Sequence, residues 1–187
     1  INTAKKLRKY CDIVVSTNSL KVKKIITKNS LPFFGFRPEK LSSDYAQTKD
    51  VVSYELKKLE KKLEKKYFAI LLLQPTCPIR DYRKIISSFK IIEKKNFDSV
   101  VSITDVNAKH PYRMKVIRKG YLKNFMKFKS ENMIPRQKLP KIYIRSGSFY
   151  IIKRNIFSKK RSLVGNKTYG FKLEGLESMN IDTINDL

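Results

Sequence analysis

Long apolar runs are missing from this chain. The longest, Tyr67 to Leu73, has seven residues, against the roughly 20 that a membrane-spanning helix needs. No signal peptide or lipidation motif is legible either, so a soluble cytoplasmic protein with no membrane partner is expected. Cysteine is scarce: Cys11 and Cys77 fit no metal or redox spacing, which excludes a disulfide scaffold. With six glycines and seven prolines, the composition is neither fibrous nor disordered. The only histidine, His110, precedes Pro111 and reads as a turn residue rather than a general base.

Acidic residues are few, 16 against 42 Lys and Arg, for a formal charge of +26. Such an excess suits a polyanionic partner, and a basic nucleic-acid-binding α/β domain is the alternative reading. However, the cations are 32 Lys to 10 Arg, spread beside 20 Ile and 11 Asn, the profile of AT-rich coding DNA. No RRM, KH, zinc-finger or helix-turn-helix signature is present, so no nucleic-acid partner is expected. At 187 residues, the chain fits one domain with a sizeable core.

Strands and helices alternate. Asp12 to Ser16 has the β-branched density of a short buried strand, Leu20 to Ile26 reads as a helix, and LPFFGF reads as a second strand or its exit loop. From Asp44 to about Lys66, Val52, Leu56, Leu59 and Leu63 form one apolar stripe on a long helix. YFAILLL carries no polar alternation, as in a central parallel strand covered on both faces. It ends at QPTCPIR, whose two prolines stop strand and helix alike. Asp81 opens a helix bearing Ile85, Ile86, Phe89 and Ile92, and Asp98 to Ile103 is the next strand. From residue 107 to 146 the periodicity breaks, which suggests an excursion from the sheet, either a β-rich subdomain or a dimerisation arm, before GSFYIIKR returns as a strand. Thr183 and Asp186 form a T-x-x-D capping box that announces a closing helix. The pattern predicts a doubly wound α/β sheet.

In such sheets ligands sit beyond the carboxyl ends of strands. Gln74, a polar amide leaving an apolar strand into a proline-fixed loop, either faces a ligand there or caps backbone groups. Arg37 and Arg80 suit phosphate or carboxylate, though lone arginines are often surface residues.

Six ordered blocks, VSTNS, FRPEKLSSDYAQ, LLLQPTCPIR, DSVVSITDVNAKHPYRM, PRQKLPKIYIRSGSFYI and MNIDTINDL, resemble the acylneuraminate cytidylyltransferase family from about Cys11 to Leu187. The resemblance implies a three-layer α/β/α, Rossmann-like nucleotidyltransferase fold in a single domain over residues 1–187, incomplete at both ends. It implies an enzyme that transfers CMP from CTP to a nonulosonic acid of sialic, legionaminic or pseudaminic type, with Mg²⁺ as cofactor, acting as a homodimer in surface glycan biosynthesis. Carried over motif by motif, Asp182, Gln74 and Arg80 are implied at the catalytic centre. Arg37, Thr48 and Gln74 are implied on the nucleotide side, and Gln74, Arg113, Arg136 and Ser146 on the sugar side. Asp182 and Asn180 are implied as metal ligands. Two departures stand out. The family's Gly- and Lys-bearing triphosphate loop has no counterpart, so little turnover is expected of these 187 residues alone. The family's closing D-I-D reads Asn180-Ile181-Asp182, and its NGAIY reads SGSFY.

Overall fold

The structure, a computed structural model, describes every residue except Asn107, residues 127–132 and Leu187; of Asn185 only the backbone is described. Helix α1 (Asn2–Leu7) is followed by α2 (Leu20–Lys28), whose first turn is capped by the Ser19 hydroxyl accepting from the Val22 N–H. The long helix α3 covers Thr48–Lys62, inside the predicted span. Strand β1 (Ala69–Leu72) leads through the proline loop into α4 (Tyr82–Lys94), with Asp81 as its N-cap, and then into β2 (Ser99–Asp105). A hairpin, β3 (Lys115–Arg118) and β4 (Tyr121–Asn124), precedes the 11-residue β5 (Tyr143–Lys153). Helix α5 (Arg154–Lys160) and β6 (Thr168–Lys172) complete the regular elements. Of the Thr183–Asp186 capping box only one half forms: the Thr183 N–H donates to the Asp186 carboxylate at 2.8 Å. The Thr183 hydroxyl donates to the same carboxylate instead of accepting from the Asp186 N–H, and a short 3₁₀ turn stands in place of the expected helix.

The main sheet has the order β1-β5-β2-β6. Strand β5 is antiparallel to both β1 and β2, and β6 is parallel to β2, so β1, β2 and β6 all point the same way. Alternation along β5 turns Phe149 and Ile151 toward Leu7 of α1 and Ile85 and Ile92 of α4, which form one buried cluster. Tyr150 and Ile152 point to the opposite face, where α5 packs on β1 and β5. Two ion pairs, Glu60–Arg154 and Asp50–Arg161, tie α3 to α5. The result is the expected three-layer α/β/α arrangement around a mixed sheet.

Three local expectations are corrected. Asp12 to Ser16 is extended but belongs to no strand. No described strand lies beside it to pair its backbone, and it is held by side chains instead: Asp12 accepts from Tyr67 Oη at 2.9 Å, and Ser16 donates to Glu55 at 2.7 Å. LPFFGF, after it, takes the loop alternative. YFAILLL is not central and its neighbour is not parallel. β5, returning from the excursion, inserts between β1 and β2, which leaves β1 half-buried at the edge. In α3 the buried positions are Leu59 and Glu55 rather than the whole predicted stripe, and Leu63 is exposed. Glu55 is tolerated inside because Ser16 and Lys58 satisfy its carboxylate.

The excursion is a small unit whose residue 107 and residues 127–132 lie outside those described. Its β3–β4 turn uses Lys119 and Gly120, at positive φ of 50° and 80°. Both central residues of a two-residue hairpin of this hand require that conformation. Among the described residues, no helix is long and apolar enough to cross a membrane.

The Arg154 guanidinium makes two bonds of 2.9 Å to the largely buried Glu60 carboxylate, which holds that carboxyl below its usual range. Arg154→Ala strands this charge between α3 and α5. It is expected to lower stability by about 1–3 kcal/mol in urea unfolding.

Candidate active site

The loop after β1 is fixed from within. Arg80, half-buried, donates through Nε to the Ser148 carbonyl at 2.7 Å and through Nη2 to the Gln74 carbonyl. Desolvation pulls its pKa below the ordinary arginine value. Arg80 therefore pins the Gln74 backbone against β5. The side chain of Gln74 then lies on Gly147, where φ is +79° and a Cβ would stand 2.8 Å from Gln74 Oε1 and 3.3 Å from Cys77 Sγ. The fully buried Cys77 Sγ lies 3.3 Å from both the Ser146 carbonyl and Asn180 Oδ1, two acceptors that share its single S–H. Burial pushes that thiol's pKa up. The Ile181 N–H donates to the Thr76 carbonyl at 2.8 Å, and Asn180 Nδ2 donates to the Asp182 carboxylate. Three segments far apart in sequence (the proline loop, SGSFY and MNID) thus meet at one point.

Beside that point opens a cavity of about 610 Å³. Gln74 lines it together with Leu72 at the end of β1, Tyr150, and Thr48 at the start of α3. Four cations line it as well: Lys49, Arg145, Lys160 and Arg161. Arg161 is paired with Asp50 at 2.6 Å and Lys160 is bonded to Asn166, while Arg145 is exposed.

Several predicted site residues therefore come together: Gln74 and Thr48 line the cavity, and Asn180, bonded to Asp182, meets the Gln74 loop at Cys77 without lining the cavity. Others stand elsewhere. Arg37 does not line the cavity, and its Nε donates to Ser42 Oγ at 3.2 Å. The Ser146 hydroxyl is buried and donates to Ser102 Oγ at 2.8 Å. Arg113 lies exposed in the excursion, donating to the Ile134 carbonyl at 3.2 Å, and Arg136 begins a 3₁₀ turn there. His110 is buried with both ring nitrogens engaged, by the Tyr112 N–H and the Pro140 carbonyl, as a turn residue would be. Sequence reasoning missed Lys49, Arg145, Lys160, Arg161 and Gly147. Only Arg145 had a signal, as one of ten arginines and directly before SGSFY.

No protein-family model matches the chain. Over 180 residues it is 26% identical to post-translational flagellin modification protein B of Campylobacter coli, covering 96% of this chain and 75% of that protein. Over 176 residues it is 27% identical to the N-acylneuraminate cytidylyltransferase of Streptococcus agalactiae serotype III, covering 94% of this chain. A third relative is the pseudaminic acid cytidylyltransferase and UDP-2,4-diacetamido-2,4,6-trideoxy-beta-L-altropyranose hydrolase of Helicobacter pylori, 26% identical over 174 residues and 90% of this chain. Two of these relatives carry the names of acylneuraminate and pseudaminic acid cytidylyltransferases, the family that the six sequence blocks resemble. The chain spans 40% of the streptococcal relative and 32% of the Helicobacter one. Among solved structures, CMP:2-keto-3-deoxy-manno-octonic acid synthetase complexed with CTP superposes with a TM-score of 0.59 over 98% of this chain and 80% of that one. At 13% identity, that likeness establishes the fold.

The resemblance implies magnesium, and the donor set of this region bears on it. Among the described residues no three of His, Cys, Asp and Glu cluster as a self-sufficient metal cage. The exposed Asp182 carboxylate is a hard oxygen ligand, and Mg²⁺ is commonly held by one or two carboxylates plus substrate phosphates. The residues fit the ion on those terms.

Proposed function

We propose that this protein is a cytidylyltransferase that activates a nonulosonic acid of sialic, legionaminic or pseudaminic type for surface glycan synthesis in the cytoplasm. The observation that carries the reading is the convergence of Gln74 with the Asn180–Asp182 segment beside a cation-lined cavity, in a chain whose curated relatives are named for this chemistry. The anomeric oxygen of the acid attacks the α-phosphorus of CTP and a P–O ester bond forms. The bond to the bridging oxygen of the β-phosphate breaks, and pyrophosphate leaves with that electron pair. The hydroxyl proton passes to solvent.

Such a transfer asks for positioning and for neutralisation of developing charge more than for covalent help. Gln74 orients the reacting groups through its carboxamide, while Arg80 fixes its backbone and Gly147, lacking a Cβ, leaves room for its side chain. Lys49 and Arg145 offer charge to phosphate or carboxylate, and Thr48 opens α3 toward the same space. Asp182 would hold magnesium, which supplies charge neutralisation on the phosphates when bound.

The same reading assigns the excursion to a second copy of the chain. Its hairpin region leaves Ile117 75%, Tyr121 71%, Leu122 67% and Phe125 62% exposed. An apolar surface of that kind suits a partner. Arg113 and Arg136 would then serve the partner's sugar site. Arg136→Glu is expected to raise KM for the acid several-fold more than KM for CTP, and sedimentation should give a dimer.

The test is pyrophosphate release by the full-length protein with Mg²⁺, CTP and each of the three acids in turn. Release that requires both CTP and one of the acids is expected. Release independent of the acid, or none with any of them, would contradict the assignment.

A further inference from the structure

We infer that Asn180 is a positioning residue rather than a metal ligand: its carboxamide, held by the buried Cys77 thiol, fixes the Asp182 carboxylate. The inference deepens the cytidylyltransferase reading and rests on it for what Asp182 serves.

A carboxamide has one acceptor oxygen and two N–H donors. In Asn180 the oxygen lies 3.3 Å from Cys77 Sγ, and the nitrogen donates to Asp182 Oδ2. The two bonds define the orientation. Rotating the oxygen outward toward an ion would break both and would aim N–H groups at the thiol. Cys77 is suited to the task because it is fully buried, so its S–H has protein acceptors rather than water beside it. The backbone reinforces the contact, since the Ile181 N–H donates to the Thr76 carbonyl one residue before Cys77. An aspartate at position 180 could not donate to Asp182 and would set two carboxylates side by side. This sequence therefore offers a divalent cation one oriented carboxylate, and Asn180 and Cys77 act through it.

Two measurements on the full-length protein decide the matter. The first is calorimetric titration with MgCl₂ alone, without nucleotide. Wild type and Asn180→Ala are expected to give the same negligible uptake, while Asn180→Asp, now a dicarboxylate, gains measurable Mg²⁺ binding. Uptake by wild type that Asn180→Ala abolishes would make Asn180 a ligand and overturn the inference. This arm reads the protein even if no CMP transfer occurs, so it fails separately from the functional assignment. The second is steady-state kinetics. Asn180→Ala and Cys77→Ala should each lower kcat about tenfold, with KM for CTP changed less, and Cys77→Ser should recover most of the loss. A wild-type kcat in Cys77→Ala, or no recovery in a folded Cys77→Ser, would overturn it.

Discussion

Gly147→Ala is expected to reduce turnover about as severely as Gln74→Ala, by roughly 10²–10³-fold, although it adds only one methyl group. At positive φ the new Cβ is strained whatever the space around it, and the space is already taken. Gln74 Oε1 would stand 2.8 Å away, closer than real Cβ contacts come, and Cys77 Sγ 3.3 Å away. The Gln74 carboxamide is the softer of the two because Arg80 pins only its backbone, so it is the part that moves. A group displaced from a charge-developing centre forfeits most of its effect on rate. Strain of about 1–2 kcal/mol should also register as lower stability. Kinetics of Gly147→Ala and Gln74→Ala in parallel check this. Near-normal turnover in a folded Gly147→Ala would detach Gln74 from the reaction.

Phe149→Ala should be the most damaging change in the core. Phe149 is 1% exposed on the central β5 and meets Phe171 of β6 edge-on at 5.7 Å between ring centroids. It also packs with Ile85 and Ile92 of α4 and Leu7 of α1, joining the sheet to one helical layer. Truncating a buried phenylalanine costs about 3–5 kcal/mol in lost transfer energy and residual cavity. Domains are stable by only about 5–15 kcal/mol, so the variant should be largely unfolded or melt far below wild type. Circular dichroism on heating measures it, and Phe149→Leu, which fills more of the volume, should lose markedly less.

The regular elements whose own residues specify them were legible in sequence. Asp81 before an apolar helix stripe, the β-branched run of β2 and the break in periodicity after residue 106 each carried a local signal that matches the fold. Pairing was not legible. Whether YFAILLL is central or at an edge depends on where β5 inserts, and nothing within those seven residues encodes that. Asp12 to Ser16 has strand composition, yet a strand exists only where a neighbour pairs its backbone. At the site, Gln74 announced itself as a polar amide leaving an apolar strand. Gly147 and the cations of the α5 exit did not, because their role comes from long-range packing rather than from any spacing. The Ser146 hydroxyl shows the converse: a position singled out by motif turns inward to Ser102 and the β5 backbone.

CMP transfer itself is seen most directly by ³¹P NMR of the full-length protein incubated with CTP, Mg²⁺ and a nonulosonic acid. The expected result is loss of the three triphosphate resonances, with one new phosphodiester signal and pyrophosphate growing in equal amounts. The same sample with Gln74→Ala should remain almost unchanged over that period. CTP left intact with all three acids, or converted to CMP or CDP without the phosphodiester, would contradict the cytidylyltransferase reading.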